Sequence, residues 1–217
     1  MPPTSGTNDD SALPDLAEAI ASLLPGGAIL GVGFNRITRA MLDEKRRRES
    51  AAIAAAEIIS GLDRFELAER VADTPELVPL AARTLFLAGM TSQDQALTAL
   101  GATLGAAIIA PSEQEKAELI VEAVQGLTPT HVRILQTLNG RAVHADGTPS
   151  AWHLQSLSDA MSLPIGDFEA HLASCTSRGF VRLLSIYGGP MGYELTQLGR
   201  DTLETLGAFE NARAQQA

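Results

Sequence analysis

The stretch Ser177–Leu184, SRGFVRLL, and its continuation Gly192–Gly199, GYELTQLG, decide how this chain is read. Arg178-Gly179 reads as a helix end, because glycine takes the left-handed conformation that closes a helix. The run from Phe180 to Ile186 is rich in strand formers, and Tyr187-Gly188-Gly189-Pro190-Met191-Gly192 reads as a loop. Tyr193-Glu194-Leu195 returns as a second strand, so the segment predicts a two-stranded β-hairpin with a longer connection. Thr196 then caps a last helix running through Leu203 and Leu206.

Moving toward the N-terminus, three helices precede the hairpin. Thr128-Pro129 pairs an N-cap with proline at the first helical position, ahead of Val132, Leu135 and Leu138. A polar loop with Asn139-Gly140 and Asp146-Gly147 follows. The next helix carries Leu154, Leu157 and Met161 and stops at Leu163-Pro164, because the residue before proline is pushed out of the α region. The third helix, about Pro164 to Ser177, places Ile165, Phe168, Leu172 and Cys175 on one apolar face. Trp152 reads as a cap over the domain core.

The succession LTPTHVRILQTL, LQSLSDAMSL, HLASCTSRGFVRLL and GYELTQLGRDTL, over residues 127–207, resembles the winged-helix domain of MarR-type bacterial regulators. Arg178-Gly179-Phe180-Val181, then Tyr193-Glu194-Leu195-Thr196 and Gly199, look like that family's helix-to-wing junction and its return. The resemblance implies a non-enzymatic regulator binding duplex DNA, with the third helix in the major groove. The positions it implies for nucleic-acid contact are Asp167, Ala170, His171, Ser174, Arg178, Arg182 and Tyr187. Charge argues the other way. Helix 164–177 holds no Lys or Arg, Asp167 and Glu169 stand near its start, and the wing tip has no basic residue. That is a poor footprint for phosphate. The rival expectation is a winged helix that contacts a protein partner, in an interaction or assembly module. Ala81 to Leu138, helical segments leading into Leu-Thr-Pro, look somewhat like bacterial Abi-alpha phage-resistance proteins, which implies a role in phage defence.

Before residue 127 every legible segment is helical. Asp63 with Glu66, Ser92 with Gln95, and Ser112 with Glu115 have capping-box spacing, and Thr74-Pro75 repeats the cap-plus-proline start. Leu77, Leu80, Ala81, Leu85 and then Leu97, Leu100, Leu104, Ile108 have the spacings of helices burying one face. Gly101 and Gly105 lie opposite the second of these stripes, where close packing on a neighbouring helix is expected. Ser112 to Gln125 predicts a connecting helix burying Leu119, Ile120, Ala123 and Val124. Asn35 to Ser60, without Gly or Pro, predicts one long helix or two. Its Lys45-Arg46-Arg47-Arg48 run reads as a solvated face paired with Asp43, Glu44 and Glu49. Gly26-Gly27 and Gly31-Val32-Gly33 lack the third glycine and the βαβ setting of a dinucleotide turn, and are expected to be a flexible turn.

The 217 residues carry 16 Lys and Arg against 26 Asp and Glu, a net charge of −10. Residues 127–217 hold 6 of those basic and 8 of those acidic groups, so the acidity is concentrated before them. The single cysteine, Cys175, excludes an internal disulfide framework. It falls on the apolar stripe, where Cys packs as a small hydrophobe rather than a nucleophile. His131, His144, His153 and His171 read as loop and surface groups; His144-Ala145-Asp146 lacks a third ligand, so no metal is expected. No elbow or phosphate loop is present, and no catalysis or cofactor is expected. The uncharged stretch from Gln95 to Ser112 falls short of about 20 strongly apolar residues, so no membrane span is expected. MPPTSGTNDD lacks signal-peptide character, which points to the cytoplasm.

The expectation is therefore a mainly α protein: a loose tail over 1–12, a helical and oligomerising region over 13–126, the winged helix over 127–207, and a loose tail over 208–217. A homo-oligomer built by the helical part is the expected assembly.

Overall fold

A computed structural model of the chain describes residues 27–140, 142–143, 149–150, 152–184 and 191–216. The expected tail over 1–12, Tyr187 and the His144–Asp146 pair lie outside the described residues. The chain divides into two compact units, Met1–Arg47 and Arg48–Ala217.

Helix α1, Gly27–Ser60, crosses from one unit into the other. It is one continuous helix, and it corrects the expected glycine turn: Gly27, Gly31 and Gly33 are helical. In the first unit Arg47 donates from Nε and Nη2 to the Glu44 carboxylate, both at 2.8 Å, the local pairing expected of a solvated basic run.

The second unit begins with the rest of α1, which ends where Gly61 adopts φ +70°. Helix α2, Arg64–Asp73, has the full capping box. Asp63 Oδ1 accepts from Phe65 N (2.8 Å) and Glu66 N (3.0 Å), and Glu66 Oε2 accepts from Asp63 N (2.8 Å). Helix α3, Leu77–Met90, starts two residues later than Thr74-Pro75 suggested, and Thr74 O accepts from Leu77 N across the turn between them. Helix α4, Asp94–Ile109, is led by Gln93, without the expected Ser92 cap. Pro111–Glu113 form a 3-10 turn that places Ser112 outside the cap position of α5, Gln114–Ala123.

Helix α6, Pro129–Asn139, follows, with its Thr128 cap realised. A short antiparallel pair, β1 Ala142–Val143 and β2 Pro149–Ser150, occupies the polar loop. Strand β3, Trp152–His153, leads directly into α7, Leu154–Met161, and α8 spans Ile165–Ser177. Gly179, at φ +79°, turns the chain into β4, Val181–Leu184; β5, Gly192–Leu195, returns. Helix α9, Gln197–Gln216, is capped by Thr196 Oγ1, which accepts from Gly199 N at 3.1 Å.

The chain is thus mainly α with a small antiparallel sheet in its C-terminal part. The expected two-stranded hairpin is a three-stranded antiparallel sheet in the order β3-β5-β4, with Trp152 opposite Tyr193 and Leu183 opposite that same Tyr193. Trp152 Nε1 donates to Gly140 O at 2.9 Å, which ties β3 to the end of α6. The tail expected over 208–217 is replaced by helix through Gln216.

One buried cluster runs from Ala52 through Leu77, Leu100, Ile120, Leu135, Phe168 and Phe180 to Leu206, and α9 packs on α4, α5 and α6 together. Gly101 and Gly105 admit the Arg48–Ser60 part of α1 at backbone distance: a Cβ at Gly105 would lie 2.6 Å from Ala56 O. Two expected core residues are corrected. Leu119 and Ile165 are exposed, since each lies at the edge of its helix's covered arc while Ile120 and Phe168 take the interior.

Candidate macromolecular interface on the winged helix

Helix α8 is held by Phe168, Leu172 and Cys175, all buried against α6, α7 and β4. Its opposite side is open: Ile165, Gly166, Asp167, Glu169, Ala170, Ala173 and Ser177 are exposed. Of the residues implied for nucleic-acid contact, Asp167 and Ala170 lie on that open face. His171, Ser174 and Arg178 are drawn into the fold, and Arg182 stands exposed on the sheet.

His171 is half-buried and turns back toward α6, where its ring meets His131 edge-on with centroids 5.2 Å apart. Ser174 is half-buried, and its Oγ accepts from Arg178 Nε at 3.4 Å. Arg178 reaches across to the α5–α6 connection. Its Nη1 donates to Ala123 O at 3.3 Å, and its Nη2 lies against Gly126, where a Cβ would sit 3.1 Å away. Gly126, at φ +74°, has no side chain there to obstruct the guanidinium. Arg182 is exposed but paired across the sheet with its register partner Glu194, donating to Oε2 from Nε (2.9 Å) and Nη2 (2.6 Å). Opposite charges at facing positions stabilise an antiparallel pair. Arg178 thus clasps two helices, and Arg182 is neutralised on the sheet. The electrostatics of the open α8 face are set by Asp167 and Glu169, with no Lys or Arg between Ile165 and Ser177.

His131 corrects the expectation of a surface histidine. It is buried at the third position of α6 and completes a capping box. Its Nδ1 accepts from Thr128 N at 3.2 Å, while Thr128 Oγ1 accepts from His131 N at 3.3 Å. With Nδ1 accepting, the neutral ring carries its proton on Nε2, which faces His171 Nδ1 at 3.5 Å. Burial lowers the His131 pKa first, the neighbouring His171 and Arg178 lower it further, and the Gly126 carbonyl opposes them. The signal was in the sequence: Thr128 and His131 have the spacing of a cap and its third residue.

Cys175 is buried, and desolvation pushes its thiol up to about 12 against the opposing pull of Arg178. A thiol in that state is a packing group, since the thiolate is the nucleophile. Among the described residues no three of His, Cys, Asp and Glu come together as a metal-holding set, and no helix is long and apolar enough to cross a membrane. Comparisons of the chain with protein-family models, with curated proteins and with solved structures find no match.

Proposed function

We propose that this chain is a non-enzymatic interaction protein whose winged helix docks on a protein partner through the open face of α8. The carrying observation is the charge of that face. Asp167 and Glu169 are exposed on it, while Arg178 is clasped to Ala123 and Arg182 is paired with Glu194. A duplex must have its phosphates neutralised by Lys and Arg, whereas a basic or neutral protein surface has no such requirement. Exposed Ile165, one turn before Glu169 on the same side of α8, supplies an apolar anchor of the kind protein interfaces use. The buried, protonated Cys175 supports the non-enzymatic part of the reading. The likeness to Abi-alpha proteins would place such docking in phage defence.

The test is a photo-crosslinking amino acid placed at Ala170 in the full chain and activated in cells. A discrete protein adduct is expected from Ala170, absent when the same group is placed at exposed Gln215 in the last turn of α9. Nucleic-acid adducts, or labelling without discrimination between the two positions, would overturn the reading.

The second reading is a MarR-type regulator bound to duplex DNA. It is favoured by the order β3-β5-β4 behind three helices, the layout in which a helix is offered to a groove. An anisotropy titration on duplex DNA across a salt series separates the two, since DNA binding must weaken linearly in log affinity against log salt.

A further inference from the structure

Helix α3 has two faces of nearly equal hydrophobicity. Leu77, Leu80, Ala81, Thr84, Leu87 and Ala88 are buried in the core. On the other side Val78 is 46% exposed, Phe86 61% and Met90 66%, with exposed Ala82 between them. These four residues stand four apart and form one i±4 ridge without a charge. Helix α5 borders the patch. Gln114 Nε2 donates to Glu76 O at 2.6 Å and Arg83 pairs with Glu122 at 3.6 Å, so α3 and α5 lie side by side. Together the four side chains of the α3 ridge leave on the order of 300 Å² of apolar surface open, within the range at which a patch on a soluble protein marks an interaction site. The charged groups at its edge, Glu76, Arg83 and Glu122, form a polar rim.

We propose that this face pairs with the same face of a second copy of the chain, α3 against α3 about a two-fold axis. The order of sizes along the ridge is the reason. Reversed about its midpoint, the row sets Ala82 opposite Phe86 of the other copy, and Val78 opposite Met90. Each large side chain therefore meets a small one twice over, as an isologous contact demands. A foreign partner would place no such condition on the row. Ridges of i±4 residues interdigitate in the commonest helix-packing class. A stable interface needs about 800 Å² per partner, somewhat over half of it apolar, and the ridge supplies the larger part of that apolar core. The pairing stands independently of the α8 docking reading, since it uses a different surface.

The experiment is mass measurement by light scattering on the full chain through a dilution series. The expected species is a dimer that dissociates on dilution, and Phe86→Asp should reduce the mass to the 22.8 kDa of one chain while the circular dichroism melt is retained. A cross-linking arm holds even where Phe86→Asp fails to fold. The double variant Ala82→Cys with Phe86→Cys should link covalently on mild oxidation, and each single variant should not, because like positions across the axis lie beyond disulfide reach. A monomer at every concentration, a dimer unmoved by a folded Phe86→Asp, or single variants linking as well as the double would each overturn the proposal.

Discussion

Gly101→Ala should destabilise the protein, although the same change in an open helix stabilises. Alanine exceeds glycine in helix propensity by about 1 kcal/mol, so the substitution starts with that much in its favour. At Gly101 the new Cβ would run into the Ala52 carbonyl oxygen and stand 2.7 Å from the Ala55 Cβ. Neither obstacle is a movable side-chain end; one is backbone and the other is the first atom of a side chain on α1. The Arg48–Ser60 part of α1 would have to retreat, loosening Ala52 and Ala56, both buried. Overpacking of this kind costs up to about 3 kcal/mol, which leaves a net loss of roughly 2 kcal/mol once propensity is credited. For a chain of this size that is a fall of roughly 4–8 °C in Tm. Gly207→Ala supplies the opposite sign, because nothing lies within 4 Å of its would-be Cβ in the middle of α9. It should gain about 0.5–1 kcal/mol. Thermal and urea unfolding followed by circular dichroism measures both. A Gly101→Ala protein as stable as the parent would refute the close docking of α1 on α4.

Three further outcomes are expected. The folded His131 pKa is lowered, so stability should be full above about pH 6.5 and decline as pH falls through the unfolded value toward the folded one, where the unfolded chain binds the extra proton. His131→Gln keeps an acceptor for Thr128 N and should flatten that part of a stability–pH curve; an unchanged slope would move the effect elsewhere. Cys175, buried with its thiol raised to about 12, should react with a thiol reagent at pH 8 on the order of a thousandfold more slowly in the native protein than in denaturant. Fast native labelling would contradict the packing of α8. Arg178→Ala should cost about 1–2 kcal/mol through the lost bond to Ala123 O, whereas Arg182→Ala, an exposed pair, should change urea stability by less than about 1 kcal/mol.

Local signals carried the reading wherever the deciding contacts are close in sequence. The Asp63–Glu66 and Thr128 caps, the Leu97–Ile108 stripe and the glycine turn at Gly179 all depend on neighbours within a turn or two. Strand β3 was not legible because its two residues become a strand only through Tyr193 and Gly192, some 40 residues onward. Periodicity identifies which residues share a helix face but not how wide an arc the neighbours cover, so Leu119 and Ile165 read as core and lie outside it. Gly31 and Gly33 read as a turn on propensity alone, yet both lie within α1. In the interface, Asp167 and Ala170 were legible as outward positions. The cap spacing of Thr128 and His131 was legible too, but the burial of His131 was not, because it depends on α8 folding back over the first turn of α6.

Arg178 and Arg182 carry the proposal that a winged-helix pattern and a nucleic-acid interface come apart in this chain. Both stand where the pattern implies phosphate or base contacts, and sequence position alone gives them that meaning. The folded geometry supplies another reason for each. Arg178 reaches from the end of α8 to the carbonyl of Ala123, over a glycine that leaves room for it. Arg182 faces Glu194 in the register of the sheet, so removing either would leave a charge opposite a neutral partner rather than open a phosphate site. With both cations explained by the fold, what remains outward on α8 is Asp167, Glu169 and a short apolar edge at Ile165. On the proposed reading, a surface of that chemistry repels a polyanion and complements a basic protein patch, and the partner follows from charge rather than from shape.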